Sequence, residues 1–173
     1  MTRAREIATQ GGLVLVSTST FSAVSSVTLN NCFSSSYANY TIECNYTVSS
    51  PGGYLNLRLA VGGTPLVTNG YTSISQRLRS DASTIIYTTD TSSVVIGAGS
   101  NTNTAGGFNA NIFNPFATEV TFANGFHSFR ETQTLNYTGI FSGQTQNSTS
   151  YDGLVFLTSV GNVTGTIKVY GYK

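Results

Sequence analysis

From Leu13 onward the chain alternates apolar and polar residues in short runs, and two runs are especially regular. Tyr40–Val48 places Tyr40, Ile42, Cys44, Tyr46 and Val48 on one face and Thr41, Glu43, Asn45 and Thr47 on the other. Tyr54–Val61 turns Leu55, Leu57, Leu59 and Val61 inward and Asn56 and Arg58 outward. A period of two residues marks a strand with one buried face. Ser49-Ser50-Pro51-Gly52-Gly53 reads as a turn between them. The pair is therefore predicted to be a hairpin, closed beyond by Gly62-Gly63-Thr64-Pro65.

The same pattern continues to the last residue. Leu13–Ser19 and Ala23–Leu29 are predicted strands around a turn at Thr20–Ser22, and Asn30–Asn39 is a predicted loop. Tyr71–Arg79, Thr84–Thr89 and Ser93–Ile96 follow, then a flexible glycine- and asparagine-rich loop over Gly97–Gly107. Asn109–Phe116 and Thr118–Ala123 are broken at Pro115, and Asn124-Gly125, a hairpin dipeptide, leads into Phe126–Tyr137. Thr138–Ser142, Leu154–Ser159 and Gly165–Tyr172 complete the set, the last two joined through Val160-Gly161-Asn162. Gly165–Lys173 leaves no tail, so the final strand is expected to be paired inside a sheet. Thr2–Gln10 is the one candidate helix, marginal on its own at barely two turns.

Many short strands with turns at short intervals predict an all-β fold. The expectation is a single antiparallel β-sandwich, jelly-roll-like, over residues 13–173, with residues 1–12 as a short N-terminal arm. No fixed-period repeat supports a propeller or solenoid.

Composition sharpens this. In 173 residues the charged fraction is only 9%, against roughly a quarter in ordinary domains, so Ser, Thr, Asn and Gly make the polar surface. Those residues disfavour helices. The net charge is +1 and the cations are scattered; Arg77 and Arg79, on one side of a strand, come nearest to a cluster. Nucleic-acid binding is not expected, nor is membrane insertion. Behind the charged start, the apolar stretch Leu13–Val16 is too short for a secretory signal core, so synthesis in a cytosol is expected. A hydroxyl- and amide-rich surface suits work outside a cell, and a virus particle reconciles the two. Cys32 and Cys44 are expected as free thiols, Cys44 on the apolar face of its strand.

Candidate chemistry is sparse. The single histidine, His127, lies in Phe126-His127-Ser128-Phe129-Arg130 and has no nucleophile elbow to serve, so its expected role is structural or surface. Glu119 and Glu131 would oppose each other across an Asn124-Gly125 hairpin, a faint acidic pair better read as solvated rim. No metal-ligand spacing or phosphate-binding loop is present, so no cofactor or metal and no enzymatic activity are expected. Five Asn-x-Ser/Thr triplets, at Asn39, Asn45, Asn136, Asn147 and Asn162, are what this composition gives by chance. Ten Tyr and ten Phe leave aromatics as the one resource for recognition, and Tyr37, Tyr71, Tyr87 and Tyr151, at loops or strand ends, are the candidate ligand contacts.

Three stretches carry a resemblance: Gly12–Ser19, Leu55–Gly63 and the terminal Gly165–Tyr172. In this order they resemble a virion structural module of tailed bacteriophages, found in tail-fibre tips and small capsid-surface proteins. Cys32–Tyr40 matches that family's Phe-x-x-x-Tyr loop, and the resemblance spans Gly12–Lys173. It implies a jelly-roll-like sandwich, usually a homotrimer, mounted on the particle by its N-terminal side. Arg3, Arg5, Glu6 and Ile7 would then belong to the attachment arm. Fibre proteins of this type carry a long shaft before the tip, whereas only Met1–Gly12 precedes the domain. The expectation is thus a capsid decoration or cement subunit on the virion surface, partnered by itself and the major capsid protein. The alternative is a tail-fibre or spike tip binding a host surface glycan.

Overall fold

The computed structural model describes residues 12–50, 53–67, 69–81, 85–98, 105–130 and 136–172. The predicted helix, and with it Arg3, Arg5, Glu6 and Ile7, lies outside them. The described residues form thirteen strands: β1 Leu13–Val24, β2 Ser26–Leu29, β3 Asn39–Val48, β4 Tyr54–Val61, β5 Thr64–Pro65, β6 Tyr71–Arg79, β7 Ile85–Asp90, β8 Val94–Ala98, β9 Ala105–Phe113, β10 Phe122–Arg130, β11 Asn136–Thr145, β12 Gly153–Thr158 and β13 Val163–Tyr172. Among these residues no helix is long and apolar enough to cross a membrane.

The protein is an all-β sandwich with antiparallel pairing throughout. One sheet has eight strands in the order β1-β13-β3-β9-β10-β11-β6-β7; the other has β2-β12-β4-β5, with β8 also paired to β4. The chain passes repeatedly from one sheet to the other, with β9, β10 and β11 running as neighbours within the large sheet. The last strand is indeed interior, held between β1 and β3.

The inner faces meet over an aromatic cluster. Phe108 and Phe156 rings lie 5.5 Å apart, Tyr46 and Phe156 6.1 Å, Phe108 and Phe141 6.4 Å, and Phe21 and Phe156 6.0 Å. Ile42, Ile112, Ile167 and Val169 from the large sheet and Leu55, Leu57 and Leu154 from the small one complete it. Removal of this apolar surface from water is the main force holding the layers together.

Several pairings differ from expectation. β3 and β4 are not a hairpin: β3 pairs with β13 and β9, whereas β4 belongs to the opposite sheet with β12, β5 and β8. Alternation shows that each strand buries one face, and two such faces are satisfied equally well across a core. The β3–β4 crossing is braced by the β12–β13 crossing, through Ser49 N–H to Asn162 O at 2.9 Å and Asn162 N–H to Ser49 Oγ at 2.9 Å.

The turn expected at Thr20–Ser22 is absent. β1 runs on to Val24 with register shifts between Leu15 and Ser17 and between Phe21 and Val24, and Ala23 takes φ 52°. Such bulges bend a strand where it leaves one sheet for the other. Asn124-Gly125 is not a turn either; it lies inside β10, with Asn124 opposite Ser142 and Gly125 opposite Phe141. A Cβ at Gly125 would stand 2.0 Å from Asn109 O and 2.6 Å from Phe141 Cζ, so the glycine makes room for backbone and ring. The expected strand Thr118–Ala123 is irregular up to Thr121 and enters β10 only at Phe122, and β9 starts at Ala105, inside the expected loop. The run Phe126–Tyr137 is shared between β10 and β11. Val61, expected inward, is exposed where β4 ends in the tight Gly62-Gly63 turn, and Asn56, expected outward, is buried.

Candidate functional site: the outer face of the eight-stranded sheet

Register decides which side chains share the outer face of the large sheet. Lys168 of β13 lies opposite Glu43 of β3, Glu43 opposite Asn109 of β9, and Asn109 opposite Phe126 of β10. Phe126 then faces Ile140 of β11, Ile140 faces Gln76 of β6, and Gln76 faces Tyr87 of β7. One straight row therefore crosses the strands as Lys168–Glu43–Asn109–Phe126–Ile140–Gln76–Tyr87. Phe126 is 64% exposed and Tyr87 59%, unusual for aromatic rings in regular strands.

Two hollows flank Phe126. The first, about 460 Å³, is lined by Glu43, Asn45, Asn109, Phe126, Ser128 and Thr138, with Gly107 in its floor. A Cβ at Gly107 would stand 3.2 Å from Asn45 Oδ1, so a side chain here would begin to fill the hollow. The second, about 350 Å³, lies between Phe126, Thr138, Ile140, Gln76 and Leu78. Asn109 Oδ1 accepts the Phe126 N–H at 3.1 Å, which fixes the amide and leaves its NH2 directed elsewhere. Ser128 Oγ donates to Tyr137 O at 3.2 Å. Ile74, Leu78 and Ile85 extend an apolar, exposed margin toward the β7 edge.

Sequence reasoning missed Phe126, Asn109 and the hollow. The available signal was phase: Phe126 alternates with Asn124 and Ser128 on the polar side of β10. Reading Asn124-Gly125 as a turn erased that phase.

The four candidate tyrosines separate. Tyr71 and Tyr151 are each 1% exposed, so the expectation that they contact ligand is corrected. Tyr71 Oη accepts the Leu59 N–H at 2.7 Å, and Tyr151 Oη donates to Asn147 Oδ1 at 2.5 Å; both are core tyrosines with satisfied hydroxyls. Tyr37 is half-buried, its ring edge-on to Tyr40 at 5.8 Å and seated over Gly171, where a Cβ would stand 2.4 Å from Tyr37 Cγ. Tyr87 alone is broadly exposed, at the end of the row.

The ionisable groups do not converge. His127 is 2% exposed and stacks on Phe129 at 5.7 Å, which in turn stacks on Tyr137 at 4.9 Å, with Arg77 over the Tyr137 ring at 5.5 Å. Burial, and then the nearby Arg77 charge, hold the His127 pKa down at about 4, so the ring is neutral. Cys32 and Cys44 are free and buried, and burial pushes both thiols up to about 12. Arg79 pairs with Asp81 at 2.5 Å on the surface. Glu119 lies in the turn before β10; Glu131 is outside the described residues, and no hairpin at Asn124-Gly125 brings the two together. Among the described residues no group of three or more His, Cys, Asp and Glu could hold a metal ion.

No known family matches the chain, and no curated protein matches it. Distant likenesses exist among solved structures. The CBM2 module of the evolved Dit of Lactobacillus casei BL23 phage J-1 is 9% identical with a TM-score of 0.27, covering 85% of this chain and 68% of that one. An aerolysin-like protein of Bombina maxima is 10% identical with a TM-score of 0.17, covering 91% and 88%. At these scores neither bears on function.

Proposed function

We propose that this chain is a non-enzymatic bacteriophage virion protein, a surface subunit of the capsid-decoration or cement type that uses its eight-stranded sheet as a contact face. The observation that carries this reading is the uncovered outer face, on which Phe126, Ile140, Ile74, Leu78 and Tyr87 stand exposed together. An apolar group of this kind on a polar, low-charge domain marks a surface meant for contact. The resemblance of Gly12–Ser19, Leu55–Gly63 and Gly165–Tyr172 to virion modules supplies the phage context. In that context the chain assembles as a homotrimer, and Arg3, Arg5, Glu6 and Ile7 attach it to the major capsid protein or a neighbouring virion protein.

An antibody against the chain, applied to purified particles, tests this directly. Labelling over the capsid, with a copy number matching the capsid lattice, is the expected result; particles free of the chain would overturn it. Label confined to the tail would select the second reading, a fibre or spike tip that binds a host surface glycan. That reading is favoured by one specific observation, the polar hollow beside Phe126.

A further inference from the structure

We propose that the row Glu43–Asn109–Phe126–Ile140–Gln76–Tyr87 binds an uncharged polysaccharide laid across the strands. This rests on the reading of the eight-stranded sheet as a contact face.

The two exposed aromatics set the line. Phe126 and Tyr87 share the row with β11 and β6 between them, three strand spacings apart, or roughly 14 Å. From Glu43 to Tyr87 the row covers five spacings, roughly 24 Å, a stretch of several sugar units. A pyranose carries C–H groups on its faces and hydroxyls around its rim. Its faces suit aromatic rings, which release water when covered. Phe126 stands between the two hollows, so a sugar on either side of it has a place to sit.

The polar groups suit hydroxyls. Within the described residues, no hydrogen bond engages the Glu43 carboxylate or the Asn45 side-chain amide, and the Asn109 NH2 is free to donate. A carboxylate accepts from two neighbouring hydroxyls, and an amide both donates and accepts. Gly107 keeps the space between them open. The same carboxylate selects against acidic sugars, since a uronate or sialate in the first hollow would bring a second anion beside Glu43. Lys168 lies on the far side of Glu43 in the row, outside the first hollow, and Arg77, which borders the second hollow, is engaged over the Tyr137 ring.

The test is a titration of the whole chain, followed by amide NMR that includes the Asn45 and Asn109 side chains. The probes are short and long oligomers of glucose, galactose and N-acetylglucosamine, with oligogalacturonate as the anionic counterpart. At least one neutral series should shift both side-chain amides, with affinity rising as the chain grows long enough to reach Tyr87. Phe126→Ala should weaken every length about tenfold or more, whereas Tyr87→Ala should weaken only the long oligomers. The same spectra report whether each variant is folded. The proposal is overturned if no neutral probe moves these amides at about 10 mM, if oligogalacturonate binds as well, or if both variants bind like the parent. It is overturned too if Phe126→Ala merely dissolves an oligomer whose face was closed to sugar. Particle labelling is a separate measurement: labelled virions without sugar binding remove this proposal alone, and sugar binding without labelled virions removes the virion reading.

Discussion

Gly97 of β8 and His127 of β10 meet across the core so closely that a Cβ at Gly97 would stand 2.8 Å from the imidazole Cε1. On another side of the ring, a Cβ at Gly139 would stand 2.5 Å from Nε2. The ring thus occupies a slot that two glycines, one from each sheet, leave open. Gly97→Ala should displace a buried stacked ring and destabilise the fold by about 1–3 kcal/mol, read as a lower urea midpoint. An unchanged midpoint would refute the close fit of the ring between the two glycines.

Stability should also depend on His127 ionisation. The unfolded chain takes up a proton as pH falls through the ordinary value of 6.5, while the folded ring stays neutral down to about 4. This contribution is therefore complete above 6.5 and is lost as pH falls toward 4, on the order of 3 kcal/mol in all. His127→Phe keeps a ring in the slot and removes the titration. Urea midpoints measured across that window should fall less steeply for the variant; identical slopes would exclude His127 as the source.

Tyr71→Phe should cost about 1–3 kcal/mol, because it strands the buried Leu59 N–H that now donates to the Tyr71 hydroxyl. Tyr87→Phe, at an exposed ring, should leave the denaturation midpoint within roughly half a kcal/mol of the parent. Equal effects of the two changes would contradict the different burial of these side chains.

The two thiols should be silent in the folded protein. With pKa values pushed up to about 12 and both sulfurs enclosed, neither Cys32 nor Cys44 offers a thiolate to a disulfide reagent at neutral pH. Labelling should appear only as urea opens the sandwich, and its rate should follow unfolding. Rapid native-state labelling of either cysteine would refute this.

The strands were far more legible than their partners. Period-two alternation placed β3, β4, β6 and β13 close to their true bounds, because each turns one face to the core, although β4 also buries Asn56 and Ala60 on its other side. Alternation carries no record of which sheet supplies the covering layer, so it suits a Tyr40–Val48 and Tyr54–Val61 hairpin as well as the observed arrangement with the two runs on opposite sides of the core. The Asn124-Gly125 dipeptide misled for a different reason: its glycine answers to the Phe141 ring and the Asn109 carbonyl, contacts far away in sequence. The candidate site was less visible still. Glu43 and Asn45 could be assigned to the polar face of β3, but a row spanning six strands exists only once register is set. Tyr71 and Tyr151 looked available because strand ends are usually open; here both rings turn back into the core and satisfy their hydroxyls there.

The position of β13 between β1 and β3 has a consequence for biosynthesis. Leu13–Val24 is translated well before its partner, Val163–Tyr172. Until β13 is made, a strand bearing Leu13, Val14 and Leu15 waits without its partner. Closing the β1–β13 pair is accordingly a long-range event, slow by topology. Yield should respond to chaperone supply and growth temperature more than to any single contact in the finished molecule.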